Sequence, residues 1–215
     1  MLTKKNRITL TVLVLIAIAS LITGLFVSQH MSGRNKIDIN QFHGTLLEKP
    51  REIEQFSLTG MDKVPFNNQS LQGQWTMVFF GFSNCGYLCP TTLAELAKMY
   101  RILEDKDVKP MPGIVFISID PDRDTLKKLK NYTTGFNPHF YAARGKDEDV
   151  SKMAREMGIA YGKIASSSTT KDPANYDVQH SGAVMLFNPQ GELSAFFTTP
   201  HQAELLAADY QLLVG

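Results

Sequence analysis

The sequence predicts a mixed α/β domain behind one N-terminal membrane-spanning helix. Three observations carry that expectation. An uncharged stretch runs from Ile8 to Gln29, just after Lys4, Lys5 and Arg7. Two apolar strand-like runs, Trp75 to Phe82 and Ile114 to Ile119, alternate with helix-like faces through the middle of the chain. Two further runs, Ala183 to Phe187 and Leu193 to Phe197, flank the turn Asn188-Pro189-Gln190-Gly191. Early alternation followed by a late hairpin implies a sheet with both parallel and antiparallel pairs.

The N-terminal part comes first. The apolar heart of the uncharged stretch, Leu10 to Val27, matches the roughly 20 residues a helix needs to cross a bilayer. A secretory signal has a shorter core, about 7–15 residues, and an A-x-A-like cleavage site, and no good site of that kind is seen. Residues 1–30 therefore read as a membrane anchor, and the polar, unpatterned residues 31–42 as a tether. Basic residues ahead of the span keep that end cytoplasmic. The domain, residues 43–215, is then expected outside the cytoplasm. With no Arg-rich transit segment, the membrane reads as a bacterial inner membrane, crossed once, with the domain in the periplasm.

In the domain, Gly44 to Leu47 and Gln55 to Leu58 are candidate short strands around Pro50-Arg51. Trp75 to Phe82 suits a strand covered on both faces. Leu93, Leu96, Ala97 and Tyr100 trace one helical face, which Pro110-Met111-Pro112-Gly113 ends. Ile114 to Ile119 is a second buried strand. Beyond it Asp124 can cap a helix carrying Leu126, Leu129 and Phe136. Phe140 to Ala143 is a short strand, and Val150, Met153, Ala154 and Met157 mark another helix. Gly162 to Val178 has no clear period, which in a compact domain points to a functional or mobile connection. A last helix spans about His201 to Leu213. The order is that of a thioredoxin-like fold with an insertion.

Composition narrows the function. The chain has 215 residues, 43% hydrophobic, with a formal net charge of +1. A nucleic-acid-binding surface normally needs a basic face, and this balance gives none. Cys85 and Cys89 are the two cysteines. A bridge between them would close a loop of about five residues, which the chain-entropy model values at roughly 2 kcal/mol. Such a pair is a poor staple, so its chemistry is the better reason for it. Outside the cytoplasm a free pair oxidises unless it is reduced or metallated.

Four-residue spacing inside a helix would hold the Cβ atoms about 5–6 Å apart, which suits one shared metal better than a disulfide. If Cys85 lies in the loop ahead of the helix, a disulfide becomes easy. Pro90 fits a first helical turn, where unpaired N–H groups favour thiolate. A metal would need a third ligand, and five histidines are available: His30, His43, His139, His180 and His201. His180 precedes a buried strand and could face the tip of the first strand. Its other reading is an imidazole satisfied within its loop. Two thiolates with an imidazole suit Cu(I), whereas zinc usually wants a fourth ligand. The cluster Asp120, Asp122 and Asp124 reads as helix capping and a tight turn. Ser83 and Ser181 have no base in a triad-like context.

Phe79-Phe80-Gly81-Phe82-Ser83-Asn84-Cys85 through Cys89-Pro90-Thr91-Thr92-Leu93 resembles the signature of the Sco/SenC family of copper proteins. The block Ile117 to Thr125 and the block Tyr176 to Gly182 resemble two more of its segments, in the family's order. The resemblance implies a thioredoxin-like domain holding copper, as Cu(I) or Cu(II), on Cys85, Cys89 and His180. It implies a metallochaperone, not an enzyme, that helps assemble the dinuclear copper centre of cytochrome c oxidase. Its partners would be the copper-accepting subunit of that oxidase and a copper donor or thiol reductant protein. The alternative is a membrane-anchored thiol–disulfide reductase using the same cysteines. Two positions depart from the family pattern. Gly86 stands where proline is frequent, and Gln179 where an acidic residue is frequent.

Overall fold

The computed structural model describes residues 13–21, 23–24, 39–165 and 176–215. The chain divides into two units, residues 1–38 and 39–215. In the first, residues 13–21 and 23–24 are helical. The rest of the expected anchor, and tether residues 31–38, lie outside the described residues. Among the described residues no helix is long and apolar enough to cross a membrane.

The second unit is built on an eight-stranded sheet. Its strands are β1 (Thr45–Arg51), β2 (Ser57–Gly60), β3 (Pro65–Asn67), β4 (Thr76–Gly81), β5 (Gly113–Ser118), β6 (Tyr141–Arg144), β9 (Val184–Phe187) and β10 (Leu193–Phe197), in the order β1-β10-β9-β4-β5-β6-β2-β3. β4 pairs in parallel with β5, and β5 with β6, while β9 runs antiparallel to both β4 and β10. The expected mixture of pairings is what forms. All six residues of β4 are buried, as a strand covered on both faces requires.

Four helices complete the unit: α1 (Leu88–Asp105), α2 (Leu126–Thr134), α3 (Asp147–Glu156) and α4 (Ala203–Val214). The periodic face of α1, with Leu93, Leu96, Ala97 and Tyr100, is buried, and α1 packs against α4. Val150, Met153 and Ala154 of α3 are likewise buried, and so is Met157 just beyond its end.

Three local expectations need correction. The stretch Gly162 to Val178, expected to be aperiodic, is bounded by paired strands, with residues 166–175 outside the described residues. β7 (Tyr161–Ala165) and β8 (Tyr176–His180) form a separate antiparallel hairpin in which Tyr161 faces His180 and Lys163 faces Val178. Its strands lack alternation because little of it is buried; Val178 is the one buried residue of β8. Asp124 does not cap α2. Thr125 does, its side chain accepting the Lys128 N–H at 3.2 Å, because the Asp124 carboxylate is turned inward to Ser118 and Ser83. α2 also stops at Thr134, so Phe136 lies past its end. β3 and the 3₁₀ turn Asn68–Leu71, closed by an Asn67–Ser70 capping box, were not foreseen.

Replacing the true cap should be felt. Thr125→Ala is expected to lower stability by about 1 kcal/mol, read as a lower denaturant midpoint at unchanged slope.

Candidate metal centre

The sulfur half of the site grows out of the most buried strand. Beyond Gly81 the chain turns, and the Cys85 N–H donates to the Phe82 carbonyl at 3.2 Å. α1 begins at Leu88, and its N-cap Tyr87 makes no side-chain cap bond. The Cys85 sulfur takes that place, accepting the Cys89 N–H at 3.4 Å. Pro90 falls in the first turn, where its missing N–H costs nothing. Cys85 therefore lies in the loop ahead of the helix, the placement that leaves disulfide formation easy. Cys89 is buried and Cys85 partly exposed, and both are free thiols.

Their protons divide unevenly. The Cys89 thiol hydrogen-bonds to the Cys85 sulfur and holds it well below the ordinary thiol range, with His180 and the N–H groups of Cys89 and Tyr87 adding to the effect against the cost of burial. That same bond, and then burial, pushes Cys89 well above its ordinary range. Of the two, the outer sulfur is the readier to ionise.

The imidazole half comes from the hairpin. His180 ends β8, and its Nε2 lies 3.4 Å from the Cys89 sulfur. Its Nδ1 sits 2.9 Å from the Ser181 carbonyl, which only accepts, so Nδ1 carries a proton and Nε2 is the nitrogen turned to the sulfurs. The ring packs against Phe79 and Phe82, with centroids 6.1 and 5.9 Å away. The donor atoms of Cys85, Cys89 and His180 all lie within 4.8 Å of one another, and no other such group occurs among the described residues.

The site has room for what it gathers. A Cβ on Gly81 would stand 2.7 Å from the Cys89 sulfur and 2.8 Å from Phe116, so only a glycine leaves the sulfur its place. Two soft thiolates and a neutral imidazole fit Cu(I). The other described histidines are used elsewhere. His43 bonds the buried Asp209 at 2.9 Å, His139 stacks on Tyr100, and His201 bonds the Gly182 carbonyl at 2.7 Å. His30 lies outside the described residues.

The acidic cluster splits. Asp122 is exposed and pairs with Lys163 at 2.6 Å, while Asp120 and Asp124 are fully buried. Asp124 accepts the Ser83 N–H at 3.1 Å, the Ser83 hydroxyl, and the Ser118 hydroxyl at 2.7 Å. Ser83 thus anchors the cysteine loop, a role the search for nucleophiles passed over. The available signal was a serine set directly against the end of a buried strand, where a hydroxyl must find a partner.

Comparison with known proteins agrees with this geometry. The model of the SCO1/SenC family matches residues 44–215. A supposed copper-binding protein of Stutzerimonas stutzeri is 31% identical over 162 residues, 75% of this chain and 76% of that one. The mitochondrial SCO1 homolog 1 of Arabidopsis thaliana is 31% identical over 179 residues, 83% of this chain but 52% of that protein, so the chain spans about half its length. The crystal structure of Arabidopsis thaliana ScoI with copper bound superposes with a TM-score of 0.65 at 30% identity, covering 74% of this chain and 94% of that one.

Two outcomes follow from the sulfur geometry. In the metal-free protein, iodoacetamide should label Cys85 and spare Cys89, as read by peptide mass. A folded-state pKa held low leaves thiolate in place until the pH falls through it. The rate should therefore change little between about pH 8 and 6, whereas an ordinary thiol loses about tenfold per unit below its pKa near 8.5. Gly81→Ala should destabilise the domain by about 1–3 kcal/mol in a denaturant titration, because the added methyl overpacks Cys89 and Phe116.

Proposed function

Since this chain belongs to the SCO1/SenC family, we propose that it is a copper metallochaperone working in the assembly of the dinuclear copper centre of cytochrome c oxidase. The observation that carries the reading is the convergence of Cys85, Cys89 and His180 from segments about ninety residues apart onto one point. The similar Arabidopsis structure was solved with copper bound, which supports copper as the cargo. Copper would be held by the two sulfurs and by Nε2 of His180. The sulfurs favour the soft Cu(I) state, and the imidazole helps accommodate Cu(II).

The chain's own groups suit loading and release. Cys85 is partly exposed and ionised ahead of the metal, so it is the first ligand that an incoming copper donor or an accepting thiol can meet. Cys89 is buried against Gly81 and gives up its proton when the metal arrives. His180 enters from a hairpin outside the main sheet. The partners are a copper-accepting subunit of the oxidase and a copper donor or reductant protein. The apolar stretch from Leu10 to Val27 supports a single-pass anchor in a bacterial inner membrane, with residues 43–215 in the periplasm.

A second reading is favoured by the proton division in the thiol pair. An ionised outer sulfur beside a protonated inner one is also the arrangement of a thiol–disulfide reductase, with Cys85 attacking and Cys89 resolving. The two departures from the family pattern bear on both readings. Gly86 has open space where a Cβ would stand, so no packing contact requires glycine there. Gln179 is exposed and leaves one negative charge fewer beside the imidazole.

His180→Ala separates the readings. Loss of outer-sphere partners weakens metal sites about 10–100-fold, so loss of a direct ligand should weaken copper binding more than about 100-fold in a competitive chelator titration. Disulfide exchange at Cys85 and Cys89 should persist. Unchanged affinity at one copper per chain would overturn the ligand assignment.

A further inference from the structure

The hairpin that brings His180 to the sulfurs belongs to no larger sheet. A lone two-stranded hairpin is marginal in water, so this one depends on its attachments to the rest of the domain. Its fixed end is Tyr176, four positions before His180 on β8. The Tyr176 hydroxyl donates to Oδ1 of the buried Asp120. Oδ2 of the same carboxylate accepts the Arg123 Nε–H at 2.5 Å. Arg123 then donates through Nη1 to the Tyr176 carbonyl at 2.9 Å and lays its guanidinium 3.8 Å from the Tyr176 ring centroid. Its guanidinium also lies 5.8 Å from the Phe82 ring, the ring whose other neighbour is the His180 imidazole.

We propose that Asp120, Arg123 and Tyr176 form a latch that positions His180, so that the latch, rather than any ligand, sets how firmly the imidazole is kept at the thiol pair. This rests on the copper-site reading for its consequence, though not for its geometry. A carboxylate with no exposed surface must keep its donors, since an uncompensated buried charge is strongly destabilising. Tyr176 is one of those donors, so Asp120 fixes the tyrosine and the tyrosine fixes the strand. The lever is short. Four residues of extended chain span about 13 Å, and the backbone between is paired with β7. The middle of β7 adds one tie, Lys163 to Asp122 at 2.6 Å, on the same loop. Thus the hairpin is fastened by polar contacts to the segment Asp120–Arg123, beside Val178, the one buried side chain that β8 gives the core.

The residues of the latch touch no metal ligand's donor atom, so they are positioning residues. A merely structural role would loosen β4 and β8 alike; a positioning role loosens β8 and His180 while β4 stands. The test uses the full chain in detergent micelles, with Tyr176→Ala removing ring and hydroxyl, and Tyr176→Phe restoring the ring beneath Arg123. Release of Cu(I) to a colorimetric chelator should be about tenfold faster in Tyr176→Ala, the lower end of outer-sphere effects, with Tyr176→Phe between it and the parent. In the metal-free chain, hydrogen exchange of the β8 amides should accelerate in the same order. The Cys85 alkylation rate and the exchange of the β4 amides should stay near those of the parent, while the thermal midpoint falls by the cost of the donor that Asp120 loses. Parental exchange at β8 in Tyr176→Ala would overturn the latch, and so would a fall in midpoint with exchange accelerated equally in β4 and β8. If the parent itself failed to bind copper while β8 exchange still followed this order, the copper reading would fall and the latch would stand.

Discussion

A carboxylate without water is stable only when its oxygens are met by donors, and this domain buries two within one short loop. Asp120 and Asp124 both have no exposed surface. Their donors come from different parts of the fold: Ser83 after β4, Ser118 at the end of β5, Arg123 in the loop itself, and Tyr176 at the start of β8. The Ser83 and Ser118 contacts are made possible by register, because Gly81 is the parallel partner of Ser118 and the Ile119 N–H donates to the Gly81 carbonyl at 2.9 Å. The charge cost therefore acts as a constraint on placement. A shift of any one donor leaves a buried charge short, at several kcal/mol, so the strand ends, the loop and the hairpin are set together.

That constraint divides the metal site into two unlike halves. The sulfur half is continuous with the main core: Phe79, Phe80 and Cys89 are all buried, and Gly81 leaves the inner sulfur the space a side chain would take. The imidazole half stands on a hairpin whose ties are mostly polar and partly exposed, as at Lys163 and Asp122. Apolar burial resists small displacements everywhere at once. Polar ties can be exchanged one at a time for water. On the proposed chaperone reading, a site that keeps a soft metal and yet surrenders it is served by that division, with one rigid side and one side that can yield.

The same contrast explains what could be read from the sequence. Strands and helices that bury a face announced themselves: the run Trp75 to Phe82 and the face of Leu93, Leu96, Ala97 and Tyr100 both lie where the pattern put them. The hairpin did not, since Gly162, Lys163 and Ile164 are exposed and no face of β7 repeats in apolar residues. Period-two alternation arises from one-sided burial and vanishes without it. Asp124 and Thr125 are both good N-cap residues by type, and the sequence could not rank them. The ranking came from Ser83 and Ser118, which claim the aspartate from positions distant in the chain or across a turn. The cysteine pair was legible by spacing, but its two placements were open until Cys85 proved to precede the helix. His180 was singled out from the five histidines by family likeness; position alone left it one of several.

The two functional readings demand nearly the same geometry, and that overlap has a physical basis. Both a thiol-linked metal transfer and a disulfide exchange begin with an outside sulfur approaching an exposed, ionised one. Cys85 meets that requirement because the unpaired N–H of Cys89 and the Cys89 thiol both point at it. Both processes then need a second sulfur held close and inside, which Cys89 supplies. What thiol exchange does not need is an imidazole brought from a distant hairpin to the inner sulfur, with its other nitrogen spent on a carbonyl. His180 has that arrangement, with Nδ1 on Ser181 and Nε2 at 3.4 Å from Cys89. On the proposed copper reading, Nε2 is the atom set to bind the metal, and the carbonyl at Nδ1 holds the ring in place for it. It is the placement of residue 180, more than the thiols themselves, that favours the metal reading over the redox one.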